Sequence, residues 1–251
     1  MPYFVMEYVE GLTLHEIFEA LRDRAPDSLD GAAIRTLFTD APPSAFAADY
    51  TEAVVRIVAG IADALHYAHE NGVLHRDVKP QNILVASDGV PLLFDFGLAR
   101  EAGAATLTRT GELAGSPYYV APEQIRKAPK GNGVAQDRRV DVYALGVTLY
   151  EALTLRILLE GAPTERCAAR HCPGRPAADA QAQRPRAAGS RAHCRKAMDR
   201  DLRWRYATAR DFAGIAALPR RAGGAARCPV SGCVPRAGRT STRSPRRSCS
   251  C

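Results

Sequence analysis

Two short motifs carry the residues of this chain that could do chemistry. The first runs from His75 to Asn82 as His-Arg-Asp-Val-Lys-Pro-Gln-Asn, and Asp95-Phe96-Gly97 begins thirteen residues after Asn82. Together they supply a carboxylate that could accept a proton, a cation and two oxygen ligands for Mg²⁺. Transfer of a phosphoryl group to a hydroxyl requires this set of groups. The motifs therefore predict a phosphotransferase site.

A predicted hairpin connects the two motifs. Residues 83–85 and 91–94 are apolar, and the Ser87-Asp88-Gly89 sequence between them is typical of a tight turn. Two short strands would then carry the motifs on neighbouring loops. The order and the context of the motifs distinguish them from tripeptides that match by chance.

Charge divides the chain into two unlike parts. Residues 1–155 carry a net charge of −8 and residues 156–251 a net charge of +15, and all seven cysteines lie in the second part. No apolar run reaches the ~18 residues of a membrane span, and acidic residues interrupt the N-terminal apolar run. An odd cysteine count argues against a disulfide framework. We therefore expect a cytoplasmic protein without a membrane segment.

Apolar periodicity predicts a mostly helical first part. Thr13 and Glu16 have the spacing of a capping box, and Thr51 to Asn71 carries a long apolar stripe that ends at Asn71-Gly72. Further helices are predicted to open at Ala121 and to span Asp141–Leu153, and Tyr3 to Val9 is predicted to be a buried strand.

Residues 1–155 resemble the eukaryotic-like serine/threonine protein kinases of bacteria. The resemblance rests on the two motifs, on Gly115-Ser-Pro-Tyr-Tyr and Ala121-Pro-Glu, and on Asp141-Val-Tyr-Ala-Leu-Gly. It implies a protein-kinase-like α+β fold, represented by the mostly helical large lobe. It also implies ATP and Mg²⁺ as cofactors, with transfer of the γ-phosphate to Ser or Thr hydroxyls of a protein substrate.

The resemblance assigns a role to each residue of the catalytic centre. Asp77 would be the base, Lys79 would steady the transferred phosphate, and Asn82 and Asp95 would bind the metal. The resemblance also implies four adenine-site residues. The side chain of Met6 and the backbones of Glu7 and Val9 would border the adenine, and the side chain of Leu84 would form the floor of the pocket.

Other matching positions imply regulation and support. Arg76 marks kinases whose activation segment is ordered by phosphorylation, and Thr108 and Thr110 are the implied sites of self-phosphorylation. Ser116 would help to position the protein substrate. Supporting roles fall to His75 in the core, to a Glu123–Arg205 ion pair that anchors the activation segment, and to Asp141, which would hold the backbone of the catalytic loop.

The chain departs from the kinase pattern at its start. The hinge begins at residue 3, no Gly-x-Gly-x-x-Gly precedes the catalytic loop, and residues 1–74 contain no lysine. We therefore expect the small lobe to be missing, with weak nucleotide binding and slow turnover. A non-catalytic kinase-like binding module and a non-functional gene fragment are the alternative interpretations.

The predicted domains follow from these observations. Residues 1–11 form a hinge strand and 12–155 the large lobe, with its catalytic loop at 75–82 and its activation segment at 95–123. Residues 193–213 resemble the end of a kinase domain. The Arg-, Ala- and Pro-rich segment 156–192 is aberrant and is expected to be out of frame, and 214–251 forms a basic, disordered tail.

Two rival functions of the C-terminal part remain open but are not favoured. Cys167, His171-Cys172 and the Cys228–Cys233 pair match zinc-ligand spacing only loosely. The +15 charge could attract nucleic acid, but one Trp and one Tyr among these residues provide no stacking platform. No specific nucleic-acid binding is therefore expected.

Overall fold

The helices and strands of the large lobe begin and end at residues whose local chemistry explains them. The structure is a computed structural model that describes residues 7–25, 28–42, 44–46, 49–96, 117–125, 137–158 and 188–214. Contacts divide the chain into Met1–Arg220 and Arg221–Cys251, and the second unit lies wholly outside the described residues. The helices are α1 Leu14–Leu21, α2 Gly31–Arg35, α3 Tyr50–Glu70, α4 Pro122–Ile125, α5 Arg139–Thr154, α6 Ala188–Ala197 and α7 Ala209–Ala213.

A three-stranded antiparallel sheet connects the catalytic motifs. Its strands are β1 Gly11–Thr13, β2 Ile83–Ala86 and β3 Pro91–Leu93, in the order β1-β2-β3. A Cβ on Gly11 would lie 2.4 Å from the Val85 carbonyl oxygen, so only glycine allows β1 to pair this closely with β2. The predicted hairpin is therefore present, and β3 is one edge of the sheet that the described residues form.

The described part of the predicted strand Tyr3–Val9 is not a strand. Residues 7–10 are irregular and β1 starts at Gly11, whereas residues 1–6 lie outside the described part of the chain. The predicted capping box does form. The Thr13 hydroxyl accepts from the Glu16 backbone N–H at 3.2 Å, and Glu16 Oε2 accepts from the Thr13 N–H at 2.7 Å. Together the paired strand and the cap fix the entry to α1.

The two long helices form the centre of the core. Asp49 caps α3 by accepting from the Glu52 N–H at 2.8 Å, and the helix ends before Gly72, whose φ is +75°. Helix α5 packs on α3 and is buried around almost its entire circumference, which explains its continuous apolar sequence. The Tyr50 hydroxyl joins the two helices by donating to the Ala152 carbonyl at 2.7 Å.

The described C-terminal helices pack on the same core. Helix α6 lies against α5, and α7 lies against α3 and α5. The contact of α5 with α6 is close, since a Cβ on Gly146 would lie 2.6 Å from the Ala197 Cβ. Helix α6 begins at Ala188, inside the segment 156–192 that the sequence pattern assigns to an aberrant region. The predicted boundary at residue 193 therefore falls inside this helix.

Tyr206 and His193 form a pH-sensitive contact between α6 and the loop before α7. The Tyr206 hydroxyl lies 2.5 Å from His193 Nδ1, and Lys196 Nζ lies 4.3 Å from the centroid of the Tyr206 ring. Burial, with a smaller contribution from the Lys196 charge, lowers the pKa of His193 below its ordinary 6.5. The neutral imidazole, whose Nδ1 can accept from the hydroxyl, is therefore the form that the folded state favours.

We expect the stabilising effect of His193 to disappear in acid. The pKa of His193 is lower in the folded chain than the 6.5 of an unfolded chain. Its contribution to the free energy of unfolding is therefore complete above pH 6.5 and is lost as the pH falls through the folded pKa. The loss of unfolding free energy in His193→Gln, measured by urea denaturation, should therefore be largest above pH 6.5 and shrink below it. An equal loss at every pH would show that His193 acts only through packing.

In the part of the chain that the structure describes, no helix is both long enough and apolar enough to cross a bilayer.

Candidate active site

The buried carboxylate of Asp141 binds the backbone of the catalytic loop. Asp141 is 1% exposed, and it accepts from the backbone N–H of His75 at 2.9 Å and of Arg76 at 2.7 Å. His69 Nε2 approaches the same carboxylate at 2.8 Å. Arg76 has a φ of +65°, a left-handed conformation that a non-glycine residue keeps only where its surroundings impose it. Asp141 therefore fixes the loop in a strained conformation just before Asp77.

His75 links the two motifs. Its Nδ1 accepts from the Asp77 N–H at 3.3 Å, so Nε2 carries the proton and donates to the Phe94 carbonyl at 3.1 Å. Its ring packs against Phe96, with ring centroids 4.7 Å apart. Because His75 is fully buried, these contacts hold the catalytic loop beside the residues that surround Asp95.

The Asp77 carboxylate is oriented by two donors. Its Oδ2 accepts from Lys79 Nζ at 2.7 Å and from Asn82 Nδ2 at 3.2 Å, and Asn82 Nδ2 also donates to the Asp77 carbonyl at 2.8 Å. Among the described residues, Oδ1 of Asp77 has no hydrogen-bond donor, and the side chain is 34% exposed. One oxygen is thus held in place while the other can receive a proton.

Asn82 and Asp95 fit the metal that the motifs imply. Since the Asn82 amide nitrogen donates to Asp77, its oxygen points away from those bonds, and this is an atom type that Mg²⁺ accepts. The Asp95 carboxylate is exposed, and its backbone φ is +59°. Within the described ranges, no group of three His, Cys, Asp or Glu side chains could hold a metal. Phosphate oxygens and water would complete the coordination, as is usual for Mg²⁺.

The predicted adenine-site residues are only partly described. Leu84 lies in β2, where it pairs with Thr13 and is half-buried. Glu7 is exposed and Val9 is half-buried, both in the irregular segment before β1. Met6 lies outside the described residues. Leu84 therefore lies on strand β2, two residues after Asn82 at the end of the catalytic loop.

Arg205 anchors the end of the activation segment. Its guanidinium donates from Nη1 to Glu123 Oε1 at 2.6 Å and from Nη2 to Glu123 Oε2 at 3.2 Å. The remaining donors reach the carbonyls of Arg139 and Asp199 at 2.7–2.9 Å. All five N–H groups therefore have acceptors, and the side chain is fully buried. The ion pair that the sequence predicts is present in the structure.

The residues assigned to phosphorylation and to substrate positioning lie outside the described part of the chain. These residues are Thr108, Thr110 and Ser116. Gly97 of the second motif and every cysteine except Cys194 also lie outside the described residues.

Cys194 is buried in α6, and burial raises the pKa of its thiol to about 12. That thiol is therefore inert at neutral pH.

A family model described as "Protein kinase domain" matches residues 2–175 of the chain. The chain belongs to this family. A probable serine/threonine-protein kinase PknB of Bifidobacterium longum is 34% identical over 216 residues, covering 84% of this chain and 26% of that protein. Serine/threonine-protein kinase PknL of Mycobacterium tuberculosis is 40% identical over 153 residues, covering 61% of this chain and 31% of that protein. The predicted resemblance to bacterial serine/threonine kinases is confirmed.

Structural similarity gives the same family. The crystal structure of the Mycobacterium tuberculosis PknI kinase domain matches with a TM-score of 0.53 and 25% identity, covering 84% of this chain and 64% of that one. The kinase-like fold with a mostly helical lobe is therefore also confirmed. The chain spans between about a quarter and a third of these two curated relatives, so the activity of the whole kinase remains a proposal.

Two contacts that support the kinase site have no counterpart among the sequence predictions. His69 stands on the buried stripe of α3, and that position was the only signal of its contact with Asp141. The Tyr119 hydroxyl donates to buried Glu151 Oε2 at 2.5 Å. Burial raises the pKa of Glu151, and burial together with the Glu151 charge raises that of Tyr119. This bond holds the residues just before Ala121-Pro122-Glu123 against α5.

Proposed function

We propose that this kinase domain transfers the γ-phosphate of ATP to serine or threonine hydroxyls of proteins. The observation that carries the proposal is the Asp77 carboxylate. Lys79 and Asn82 hold one of its oxygens, and the other has no donor among the described residues in a side chain that is 34% exposed. A general base needs this combination of fixed orientation and access to the reacting proton.

The geometry supports direct in-line transfer. Asp77 Oδ1 would accept the hydroxyl proton as the hydroxyl oxygen bonds to the γ-phosphorus, and the bond from that phosphorus to the ADP oxygen breaks. Lys79, 18% exposed and next to the carboxylate, would stabilise the charge on the moving phosphoryl group. Asn82 and Asp95 would hold Mg²⁺, which neutralises phosphate oxygens when bound.

The finer assignments belong to the same proposal. Met6, Glu7, Val9 and Leu84 would contact the adenine, and Ser116 would position the acceptor. Self-phosphorylation would fall on Thr108 and Thr110, and the cation of Arg76 would pair with the added phosphate. A chain that acts in this way on protein substrates would do so in the cytoplasm.

Loss of one metal ligand tests the proposed site independently of turnover. We expect Asp95→Asn to weaken Mn²⁺ binding in the presence of ADP by about tenfold or more, because a charged ligand becomes neutral. Water-proton relaxation in whole-chain samples gives the Mn²⁺ affinity. Asp88→Asn, in the exposed hairpin turn, is the matched control and should leave the affinity unchanged. Equal binding by wild type and Asp95→Asn would remove Asp95 from the metal site.

A further inference from the structure

Gly60 occupies a position in α3 where glycine is costly. It lies in the interior of a 21-residue helix, where alanine would be more stable by about 1 kcal/mol. A Cβ built on Gly60 would lie 2.8 Å from Cγ of Pro91 and 3.5 Å from its Cδ. The first distance is shorter than an ordinary carbon contact, so an alanine here would displace the proline.

Pro91 transmits such a displacement to the strand. It is the first residue of β3, and its register partner is Val85 of β2. The pyrrolidine ring is bonded to its own backbone nitrogen and Cα, so repuckering relieves only part of a clash. Among the strands that the structure describes, β2 is the only neighbour of β3 in the sheet. A Cβ at residue 60 would therefore displace β3 relative to β2.

The turn of the same hairpin is also closely confined. Gly89 has a φ of +88°, and a Cβ there would lie 2.9 Å from the Ala45 carbonyl oxygen and 3.5 Å from the Phe46 ring. Phe46 is buried and stacks on Phe38, with ring centroids 5.5 Å apart. The turn therefore has little room to move with β3. A displacement of Pro91 would instead shift the end of the hairpin that lies opposite the turn.

That opposite end carries the two candidate metal ligands. Asn82 precedes β2 and Asp95 follows β3, and the Phe94 N–H donates to the Asn82 carbonyl at 3.1 Å between them. This hydrogen bond sets how closely the two ligands approach. A shift of β3 along or away from β2 would lengthen it and separate Asn82 from Asp95.

We propose that Gly60 is a positioning residue for the metal site. By leaving room for Pro91, it lets β3 lie close enough to β2 for Asn82 and Asp95 to share one ion. The metal part of this inference rests on the proposed function, whereas the effect on the hairpin stands on the packing alone.

Amide hydrogen exchange of Phe94, measured by NMR on the whole chain, is the primary test. We expect Gly60→Ala to speed exchange of the Phe94 N–H by about tenfold or more, because its bond to Asn82 is weakened. Adding Pro91→Ala to Gly60→Ala should restore slow exchange, because the clash is gone. Asp63→Ala, on the exposed face of α3, is the matched control and should leave exchange as in the wild type.

Two outcomes would overturn the proposal. One is wild-type exchange of Phe94 in Gly60→Ala. The other is fast exchange that persists in the Gly60→Ala/Pro91→Ala double variant, which lacks the clash and should therefore fold even if Gly60→Ala alone does not. Mn²⁺ affinity in the presence of ADP is the second readout and should fall and recover with the exchange rate. If the wild type binds no Mn²⁺, the proposed function fails at its metal site, and Phe94 exchange still decides the role of Gly60.

Discussion

Replacing Arg205 with alanine is expected to lower the free energy of unfolding by ~3–5 kcal/mol, since removing one partner of a buried ion pair leaves the other uncompensated. Arg205 is fully buried, and Glu123 is 15% exposed. The substitution also takes the donors from the carbonyls of Arg139 and Asp199 and removes the cation 5.0 Å from the Tyr143 ring centroid. Urea denaturation of the whole chain measures the loss.

Arg203 provides a matched control two residues away. It also pairs with a carboxylate, that of Asp201, but it is 84% exposed. The Asp201 pKa is lowered to about 2, chiefly by its hydrogen bonds from Arg203, so the pair is fully charged near neutral pH. Solvent screens such a pair, so Arg203→Ala should change stability little. Equal losses in Arg205→Ala and Arg203→Ala would show that the Glu123 anchor contributes no more than a surface ion pair.

Replacing Asp77 with asparagine is expected to slow phosphate transfer by a factor of ~10²–10⁴, the usual contribution of a general base. The amide is nearly isosteric and can still accept from Lys79 and Asn82, so the loop should keep its conformation. What it loses is the oxygen that takes the hydroxyl proton. Transfer of ³²P from ATP under single-turnover conditions, with the chain in excess, measures the rate.

Asp63→Asn is the control for this rate. Asp63 is an exposed residue of α3, so the same chemical change there should leave transfer unchanged. Near-ultraviolet circular dichroism should be identical for wild type, Asp77→Asn and Asp63→Asn. Transfer by Asp77→Asn at the wild-type rate would exclude Asp77 as the base. Absence of transfer by the correctly folded wild type would instead favour a non-catalytic binding module.

Local signals account for what the sequence predicted well. The capping box at Thr13, the end of α3 at Asn71-Gly72 and the turn at Asp88-Gly89 depend on neighbours within a few residues. Two apolar runs around the Ser87-Asp88-Gly89 turn likewise predict the hairpin between Asn82 and Asp95. Each feature is encoded where it occurs, so one sequence is enough to predict it.

Contacts between distant elements account for the rest. His69 contacts Asp141, which lies 72 residues later in the sequence. The residues next to either one contain no pattern that predicts this contact. The fit of Gly60 against Pro91 is equally non-local. Residues 7–9 of the predicted strand are irregular because the described pairing with β2, rather than apolar composition, decides where β1 begins. The Glu123–Arg205 pair was predicted only because the family pattern supplied the partner.

The central claim is that this kinase lobe moves phosphate from ATP to a serine or threonine hydroxyl. The most direct measurement is phosphoamino-acid analysis of a general protein substrate and of the chain itself after incubation with [γ-³²P]ATP. We predict labelled phosphoserine or phosphothreonine that requires Mg²⁺ and disappears with EDTA. Absence of label above an EDTA-treated sample, with the chain in excess and correctly folded, would contradict the claim.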